Sequence, residues 1–363
     1  MIPTSPLWLI FLSTAVISFA VTPIIIKIYR RIGAVDIPDS KKPMTTHRYP
    51  VTRGGGLVIF AGILFGIWLF LPMDKHLSGI VIGAMIAAGI GFLDDLFNLN
   101  PYLRLLMLIT AAGAVIAVGI GIPFINLPFL GIVNLDQPRL AFSMFGGDHS
   151  IWLLADVFAL VWIVGLMNFI NWSKGLDGQL PGIVVIASLV VGALSLKFSA
   201  DITQWPVIIL AMITAGAYFG FLPWNFYPQR IMPGYGGGIL GGYFLAVMSI
   251  LSNTKVGTLL VVLGVPIIDA LFIIIRRMAG GKSPVWGDRG HLHHHLLDDL
   301  HMSKRSVAVT YWAVTAILGL IALRLKADQK FYTMLAVSLI VGGILLWIKY
   351  FERLSKQPGR KGG

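Results

Sequence analysis

The sequence contains no cysteine and little charge for its length. Without cysteine, disulfide frameworks, thiolate metal sites and cysteine nucleophiles are excluded, so any metal must be held by oxygen or imidazole ligands. Only 12% of the 363 residues are charged, against about 25% in an average soluble domain. Because 56% of the residues are also hydrophobic, an ordinary water-soluble fold is excluded.

Acidic residues are the scarcer of the two charged groups. The chain has 16 Asp and Glu against 28 Lys and Arg, and Glu352 is the only glutamate. The acids are therefore few enough to be considered one by one.

Long apolar runs dominate the rest of the chain. A membrane-spanning helix needs about 20 predominantly apolar residues. About eleven runs meet this description, at approximately 6–26, 55–72, 78–93, 103–122, 151–170, 180–198, 205–223, 238–252, 257–275, 307–323 and 331–348. The sequence predicts an all-α integral membrane protein, a polytopic bundle of about eleven helices that forms a single domain over residues 1–363.

The basic residues predict how this bundle is oriented, since Lys and Arg concentrate in cytoplasmic loops. Alternate loops hold 21 and 7 of the 28 basic residues, and the richer set includes a basic C-terminal tail at 349–363. We therefore expect the N-terminus outside and the C-terminus in the cytoplasm. Since the charge follows topology and forms no single soluble patch, nucleic acid is not an expected partner.

The polar segments of unusual composition all fall in the cytoplasmic set of loops. They cover about residues 27–54, 94–102, 171–179, 224–237 and 276–306. The one long outer segment, 123–150, alternates apolar residues with Pro and Gly and is expected to form a small hairpin at the membrane surface. Five polar loops on one membrane face are placed to build one site.

Asp94 and Asp95 adjoin the end of the third apolar run, where ionisable residues are costly and indicate function. Neighbouring helical residues point about 100° apart, so two carboxylates there are better arranged around a shared cation than around each other. Mg²⁺ commonly takes one or two protein carboxylates and completes its shell with water and phosphate oxygens. The alternative is that both acids are simply solvated at a helix end.

The segment HLHHH, residues 291–295, has four imidazoles in five positions. In a helix, His291, His294 and His295 would share a face, with His293 to the side. Such a face suits a transition metal or donors to phosphate oxygens, and the alternative is a solvated loop that happens to be rich in histidine. The Glu of a zinc-hydrolase HExxH motif is missing.

Glycines and two intramembrane acids complete the picture. The run GYGGG at 234–238 can present backbone N–H groups to an anion at the start of a helix, although it could equally serve helix packing. Asp156 and Asp269 lie inside apolar runs, and we expect hydrogen bonds within the bundle for Asp156 in particular. Carboxylates, imidazoles, basic residues and Gly-rich turns together predict a site for a polyphosphate and Mg²⁺, and the many spans indicate a lipid co-substrate.

Four of these loops resemble motifs of one enzyme family, in the family's order. HRYPVTRGGG is similar to its first cytoplasmic motif, GFLDDLFNL to its acidic pair, NFINWSKGLDG at 168–178 to its nucleotide-sugar motif, and GKSPVWGDRGHLHHHLL to its histidine loop. Over about residues 20–310 the chain therefore resembles the polyprenyl-phosphate N-acetylhexosamine-1-phosphate transferases, and its histidine loop is closer to the UDP-GlcNAc branch. The resemblance implies transfer of a sugar phosphate from a UDP-sugar to a polyprenyl phosphate, with release of UMP.

The chain departs from the family pattern at two positions. Lys174 stands where the third motif usually has its first Asp, and Gly234 stands where the fourth motif usually has a metal-associated Asp. Our hypothesis is a divergent but active enzyme in which Lys174 supplies positive charge toward the pyrophosphate.

The resemblance also implies roles for individual residues. Asp94 and Asp95 would be catalytic ligands of Mg²⁺, with Mn²⁺ as a substitute, and the remaining catalytic residues would be His291, His293 and His294. Asn171 and Asp177 would hold the nucleotide, with Asp177 accepting from the uracil. The full substrate-binding set would be Arg48, Arg53, Asn168, Asn171, Lys174, Asp177, Gly234, Gly236, Arg277 and Asp288.

The resemblance further implies partners and a location. The partners would be a UDP-N-acetylhexosamine and a polyprenyl phosphate, in a bacterial inner membrane, with the site facing the cytoplasm and a homodimer compatible with the architecture. Three alternatives stay open: a phospho-N-acetylmuramoyl-pentapeptide transferase, an inactive UDP-sugar-binding homologue, and a transporter.

Overall fold

Apolar runs become helices here, because a helix satisfies its backbone hydrogen bonds within one segment, as lipid requires. The computed structural model describes residues 5–38, 47, 49–127, 129–144, 147–252, 256–283 and 290–356. Its α-helices are α1 Leu7–Arg31, α2 Gly55–Phe70, α3 Lys75–Phe97, α4 Pro101–Ile116, α5 Leu153–Trp172, α6 Gln179–Leu196, α7 Trp205–Asn225, α8 Gly234–Leu251, α9 Val256–Val262, α10 Gly264–Ala279, α11 Leu292–Asp298, α12 Lys304–Ala322 and α13 Ala327–Lys356.

All eleven apolar runs contain helix, but they do not all form full spans. In the described part of the chain, eight helices are long and apolar enough to cross a membrane, and a bent pair makes nine. The helices α2 and α4 have 16 residues each, about 24 Å at 1.5 Å per residue. A polytopic helical membrane protein is confirmed, whereas the count of eleven stays a prediction.

The ninth run is not the single straight helix that its composition predicts. It breaks at Leu263, and α9 and α10 meet at an angle of 82°. Pro266 explains the position of the break, because a helical proline lacks an N–H and its ring clashes with the carbonyl four residues earlier. That carbonyl belongs to Val262, the last residue of α9.

Short antiparallel ribbons depart from a purely helical fold. Two hairpins occupy the end of the bundle opposite the polar loops, where one hairpin was expected. The strands are β1 Val35–Asp36, β2 Val51–Thr52, β3 Phe124–Leu127, β4 Gly131–Asn134, β5 Arg139–Met144 and β6 Gly147–Trp152. They pair as β1 with β2, β3 with β4 and β5 with β6.

The core is centred on α8, of which nearly every residue is buried against its neighbours. Glycine permits the closest approach: a Cβ on Gly91 of α3 would lie 2.2 Å from the Cα of Gly236 of α8. A Cβ on Gly56 of α2 would lie 2.7 Å from the backbone nitrogen of Gly237. The three helices therefore touch through their backbones at the end of the bundle that carries the polar loops.

Backbone hydrogen bonds join two of those loops directly. The N–H of Met232 donates to the carbonyl of Thr52 at 2.8 Å, and the N–H of Gly55 donates to the carbonyl of Met232 at 3.0 Å. The segment that precedes α2 and the segment that precedes α8 are thereby fixed together.

Candidate active site

A cavity of about 1240 Å³ opens at this end of the bundle, where the predicted polar loops meet. Most of the predicted site residues line it: Arg53, Asp94, Asp95, Asn168, Asn171, Lys174, Gly234, His291, His293 and His294. Arg48 and Asp288 were also predicted, and both lie outside the described residues. Residues far apart in sequence are thus brought to one wall by the folding of the bundle.

The acidic pair ends α3, and each carboxylate uses one oxygen within the protein. Oδ1 of Asp94 accepts from the backbone N–H of Leu99 at 3.0 Å and lies 2.9 Å from Nε of Arg104. Oδ1 of Asp95 accepts from the N–H of Tyr235 at 3.3 Å. Among the described residues, neither Oδ2 atom has a hydrogen-bond partner. The pair therefore keeps two oxygens of the type that Mg²⁺ prefers.

Lys174 follows α5 and points into the cavity beside this pair. Its Nζ donates to the carbonyl of Gly234 at 3.2 Å. Burial lowers the pKa of the Lys174 ammonium to about 8, and the nearby carboxylates of Asp95 and Asp94 oppose that shift. The ring of Tyr235 lies 5.4 Å from Nζ of Lys174 and 5.1 Å from Cζ of Arg104. One aromatic ring thus contacts both cations of the site.

Gly234 is required by this arrangement. Its φ of +68° belongs to the left-handed region, and a Cβ there would lie 2.7 Å from both carboxylate oxygens of Asp95. Any side chain would combine backbone strain with a clash. Glycine at this position therefore fits the backbone that this chain adopts.

The two asparagines occupy the last turns of α5, three residues apart and so on one face. Nδ2 of Asn168 donates to the carbonyl of Val164 at 2.9 Å. Asn171 is only 6% exposed, and its Oδ1 has no hydrogen-bond partner among the described residues. An unpaired buried acceptor is costly, so Asn171 is suited to a donor from a ligand.

The histidines are arranged differently from the predicted helical face. The helix α11 begins only at Leu292, with His291 as an extended N-cap, so the i, i+3, i+4 relation fails. His295, expected on the shared face, instead pairs with Asp299 at 2.7 Å, while His293, expected to the side, lines the cavity. The rings of His293 and His294 lie 4.3 Å apart.

Asp269 of α10 holds this histidine segment. Its Oδ2 accepts from Nδ1 of His291 at 2.8 Å, and its Oδ1 accepts from the backbone N–H of Leu292 at 2.8 Å. The carboxylate thereby fixes the ring and leaves Nε2 of His291 as the nitrogen available to the cavity. An acid in an apolar run was the only sequence signal for it.

Asp36 and His47 also line the cavity and were not predicted. Oδ1 of Asp36 pairs with Nη2 of Arg53 at 2.7 Å, and its Oδ2 lies 3.5 Å from Nε2 of His47. His47 belongs to the HRYP motif, so the sequence contained a signal from which its place in the site could have been predicted. Arg104 was counted only among the 21 basic residues of the richer loops, yet its Nε lies 2.9 Å from Oδ1 of Asp94.

Three predicted residues are not at the cavity wall. Asp177 is 1% exposed, accepts from the N–H of Gln229 at 3.3 Å and lies 3.6 Å from Nζ of Lys304. It lies behind Gln229, which lines the cavity, and its contact with a uracil stays a prediction. Gly236 packs against Gly91, and Nε of Arg277 donates to the carbonyl of Ser283 at 2.8 Å.

The wall chemistry suits two anionic reactants. Lys174, Arg104 and Arg53 supply positive charge, and α8 directs its N-terminus toward the same region. The carboxylate oxygens can hold a hard divalent cation, and the imidazoles can donate to phosphate or sugar oxygens. Such a site acts mainly by positioning reactants and neutralising charge.

Comparison with known proteins agrees with these features. The family described as glycosyl transferase family 4 matches residues 77–253. A protein of Bacillus subtilis named a probable undecaprenyl-phosphate N-acetylglucosaminyl 1-phosphate transferase is 28% identical over 329 residues, 88% of this chain and 85% of that protein. A decaprenyl-phosphate N-acetylglucosaminephosphotransferase of Mycobacterium leprae is 28% identical over 342 residues, 85% of this chain and 81% of that protein.

An archaeal relative extends the likeness. A protein of Sulfolobus acidocaldarius, provisionally named as a UDP-N-acetylglucosamine–dolichyl-phosphate N-acetylglucosaminephosphotransferase, is 30% identical over 250 residues, 66% of this chain and 70% of that protein. The family resemblance of the motifs is confirmed. The chain belongs to glycosyl transferase family 4 and is a phosphoglycosyltransferase.

Proposed function

We propose that the protein transfers N-acetylglucosamine 1-phosphate from UDP-N-acetylglucosamine to a polyprenyl phosphate such as undecaprenyl phosphate. An oxygen of the lipid phosphate attacks the β-phosphorus of the UDP-sugar. The bond from that phosphorus to the bridging oxygen breaks, and UMP leaves with the oxygen. This would be the first membrane step of a cell-envelope polysaccharide.

The observation that carries this proposal is that one cavity is lined by both charged and aliphatic side chains. Besides the charged and polar residues, the lining contains aliphatic side chains from α4, α5 and the bent helix α10. These residues are Leu105, Ile109, Leu160, Val161, Val164, Ile273 and Ile274. The charged and polar side chains suit a water-soluble sugar nucleotide, whereas the aliphatic side chains suit a lipid chain.

The acidic pair fits a magnesium ion that the protein holds by few ligands. The free Oδ2 atoms of Asp94 and Asp95 would hold it, with phosphate oxygens and water completing the shell. When bound, Mg²⁺ would neutralise charge on the pyrophosphate. Either carboxylate could also take the proton of the lipid phosphate.

The other wall residues would orient the substrates. Arg53 and Lys174 would contact phosphate oxygens, and Asn171 would accept a hydrogen bond from the nucleotide or sugar. The three histidines would contact sugar and phosphate, with His291 held by Asp269. Asp177 would hold the backbone of Gln229, which lines the cavity, in place.

The membrane placement belongs to the same proposal. The cavity would face the cytoplasm of a bacterial plasma membrane, where UDP-sugars are made, and the concentration of Lys and Arg in one set of loops supports this orientation. A second candidate, an inactive UDP-sugar-binding protein, is favoured by Lys174 and Gly234, which replace two acids of the family pattern. Turnover distinguishes the two.

The direct test is a reaction of the purified protein with undecaprenyl phosphate and a panel of donors. The panel should contain UDP-N-acetylglucosamine, UDP-N-acetylgalactosamine and UDP-N-acetylmuramoyl-pentapeptide, with mass spectrometry of the lipid product. We expect the N-acetylglucosamine product and UMP, a loss on chelation by EDTA, and at least about a 100-fold fall for Asp95→Asn.

Asp328→Asn is the matched control, because Asp328 is exposed at the start of α13, at the other end of the bundle. It should retain wild-type turnover. UDP-sugar binding without UMP release would favour the inactive homologue, and full activity of Asp95→Asn or in EDTA would contradict the assignment.

A further inference from the structure

The expected metal ligands already face fixed positive charge. Arg104 pairs with Asp94 at 2.9 Å, and Lys174 acts on both Asp95 and Asp94 through its charge. Two carboxylates and two cations therefore balance one another before any ligand enters. A divalent cation that binds without a nucleotide therefore gains less electrostatic free energy here than at an acidic pair without neighbouring cations.

Lys174 is held where it is. Its ammonium donates to the Gly234 carbonyl at 3.2 Å and lies over the ring of Tyr235, which Arg104 also contacts. The backbone N–H of Tyr235 in turn donates to Asp95. Withdrawal of the lysine would break contacts to the same turn that holds the carboxylate, so the positive charge is a fixed part of the wall.

The acids near this turn are too few to outweigh the cations. Gly234 can carry no side chain, because a Cβ would clash with Asp95. In the described part of the chain, no group of three or more His, Cys, Asp or Glu residues is arranged to hold a metal. Further oxygen ligands and further negative charge would have to come from the substrate.

A nucleoside diphosphate supplies both the oxygen ligands and the negative charge. Its pyrophosphate adds oxygens that complete an octahedral shell, and its negative charge offsets Lys174 and Arg104. We infer that Lys174 makes divalent-cation binding at Asp94 and Asp95 conditional on a bound nucleoside diphosphate. This inference rests on the proposed function and adds to it the coupling between metal and nucleotide.

Such coupling is reciprocal. If the nucleotide tightens the binding of the cation by some factor, the cation must tighten the binding of the nucleotide by the same factor. The coupling factor can therefore be measured from the affinity of either ligand in the presence and absence of the other, and neither measurement needs turnover.

The experiment uses Mn²⁺ as the probe and UDP as the nucleoside diphosphate. Free Mn²⁺ is followed by electron paramagnetic resonance during titration of the purified full chain, with and without UDP, and UDP affinity is measured with and without Mn²⁺. For the wild type we expect at least about tenfold tighter Mn²⁺ binding with UDP, and the same factor for UDP.

Lys174→Gln should change the Mn²⁺ affinity of the nucleotide-free protein. Without UDP it should bind Mn²⁺ about tenfold tighter than the wild type, and the coupling factor should shrink. Lys174→Arg, which keeps the charge, should keep the coupling. Lys27→Gln is the matched control: Lys27 is exposed on α1 and does not line the cavity, so the wild-type pattern should persist.

Equal Mn²⁺ affinity of the wild type with and without bound UDP would overturn the inference, even if Lys174→Gln does not fold. Lys174→Gln with unchanged Mn²⁺ affinity would overturn it too. In both cases formation of the lipid product would leave the proposed function standing. Failure of the proposed function has a different signature, which is UDP binding without any lipid product from any donor.

Discussion

At the scale of single residues, buried carboxylates in this protein hold other side chains in place. Asp269 accepts from both His291 and Leu292, so it fixes the start of α11 and the ring that faces the cavity. Asp156, by contrast, accepts from the backbone N–H of Trp152 at 3.0 Å and caps the first turn of α5. The sequence analysis expected hydrogen bonds within the bundle for Asp156, whereas the bond described is local, to the residue that precedes its own helix.

Asp269→Asn should therefore lower turnover with little loss of stability. The amide oxygen can still accept from Leu292, but the amide NH₂ would donate to Nδ1 of His291 and so move the imidazole proton to Nε2. The nitrogen that faces the cavity would stay the same, but its hydrogen-bonding role would change. We expect kcat to fall about 100-fold and KM for the UDP-sugar to change little. Steady-state kinetics over a range of pH, together with a thermal unfolding scan, checks this expectation.

Asp299→Asn provides the comparison for that variant. Oδ2 of Asp299 lies 2.7 Å from Nδ1 of His295, a contact of the same type as that between Asp269 and His291. Asp299 is exposed, however, and does not line the cavity. Its kcat and pH profile should match those of the wild type. If the two variants behaved alike, the assigned role of Asp269 would be wrong.

At the scale of helices, glycine contacts set the position of the acidic pair. Gly91 lies one turn before Asp94 and Asp95, and its contact with Gly236 draws α3 onto α8. The sequence analysis left helix packing open as one role of the GYGGG run at 234–238, and it did not indicate which glycines meet. Helix pairing depends on which faces oppose each other in three dimensions, and local patterns along the sequence do not show this.

Gly91→Ala should separate these helices. The new Cβ would lie 2.2 Å from backbone of Gly236, which cannot move aside as a flexible side chain would. We expect a loss of about 1–3 kcal/mol of stability and a larger loss of turnover, because the bond from Tyr235 to Asp95 would lengthen. Thermal unfolding in detergent and the product assay measure the two effects.

Gly89→Ala tests whether the effect is specific to that contact. Gly89 lies on the same helix, is exposed, and a Cβ there would meet nothing within 4 Å. This variant should keep wild-type unfolding temperature and turnover. Equal losses in both variants would point to a general intolerance of alanine in α3.

At the scale of the whole molecule, the described polar loops lie at one end and the two hairpins at the other. The absence of cysteine makes this polarity easy to test, because any introduced cysteine is the only one in the chain. We expect Arg31→Cys, exposed at the end of α1, to lie inside. Lys326→Cys, exposed between α12 and α13, should lie outside.

The measurement is labelling of intact cells with a membrane-impermeant maleimide. Lys326→Cys should react in intact cells, whereas Arg31→Cys should react only after the membrane is opened. The reverse pattern would place the cavity outside and contradict a cytoplasmic UDP-sugar as donor.

The sequence by itself determined the helical membrane class, the family and ten of the residues that line the cavity. The bilayer requires long apolar segments, and these can be recognised in the sequence. Functional polar residues can be recognised too, because the chain contains few charged residues. Asp94, Asp95, Lys174 and the histidines were identifiable in this way.

Only the tertiary structure decided which of these groups act on one another. Arg104 beside Asp94, Asp269 behind His291 and Asp177 behind Gln229 are contacts between distant segments, fixed by helix packing. Distances and shared charges arise only when the chain is folded, and the balance between Lys174 and the acidic pair is therefore a property of the fold.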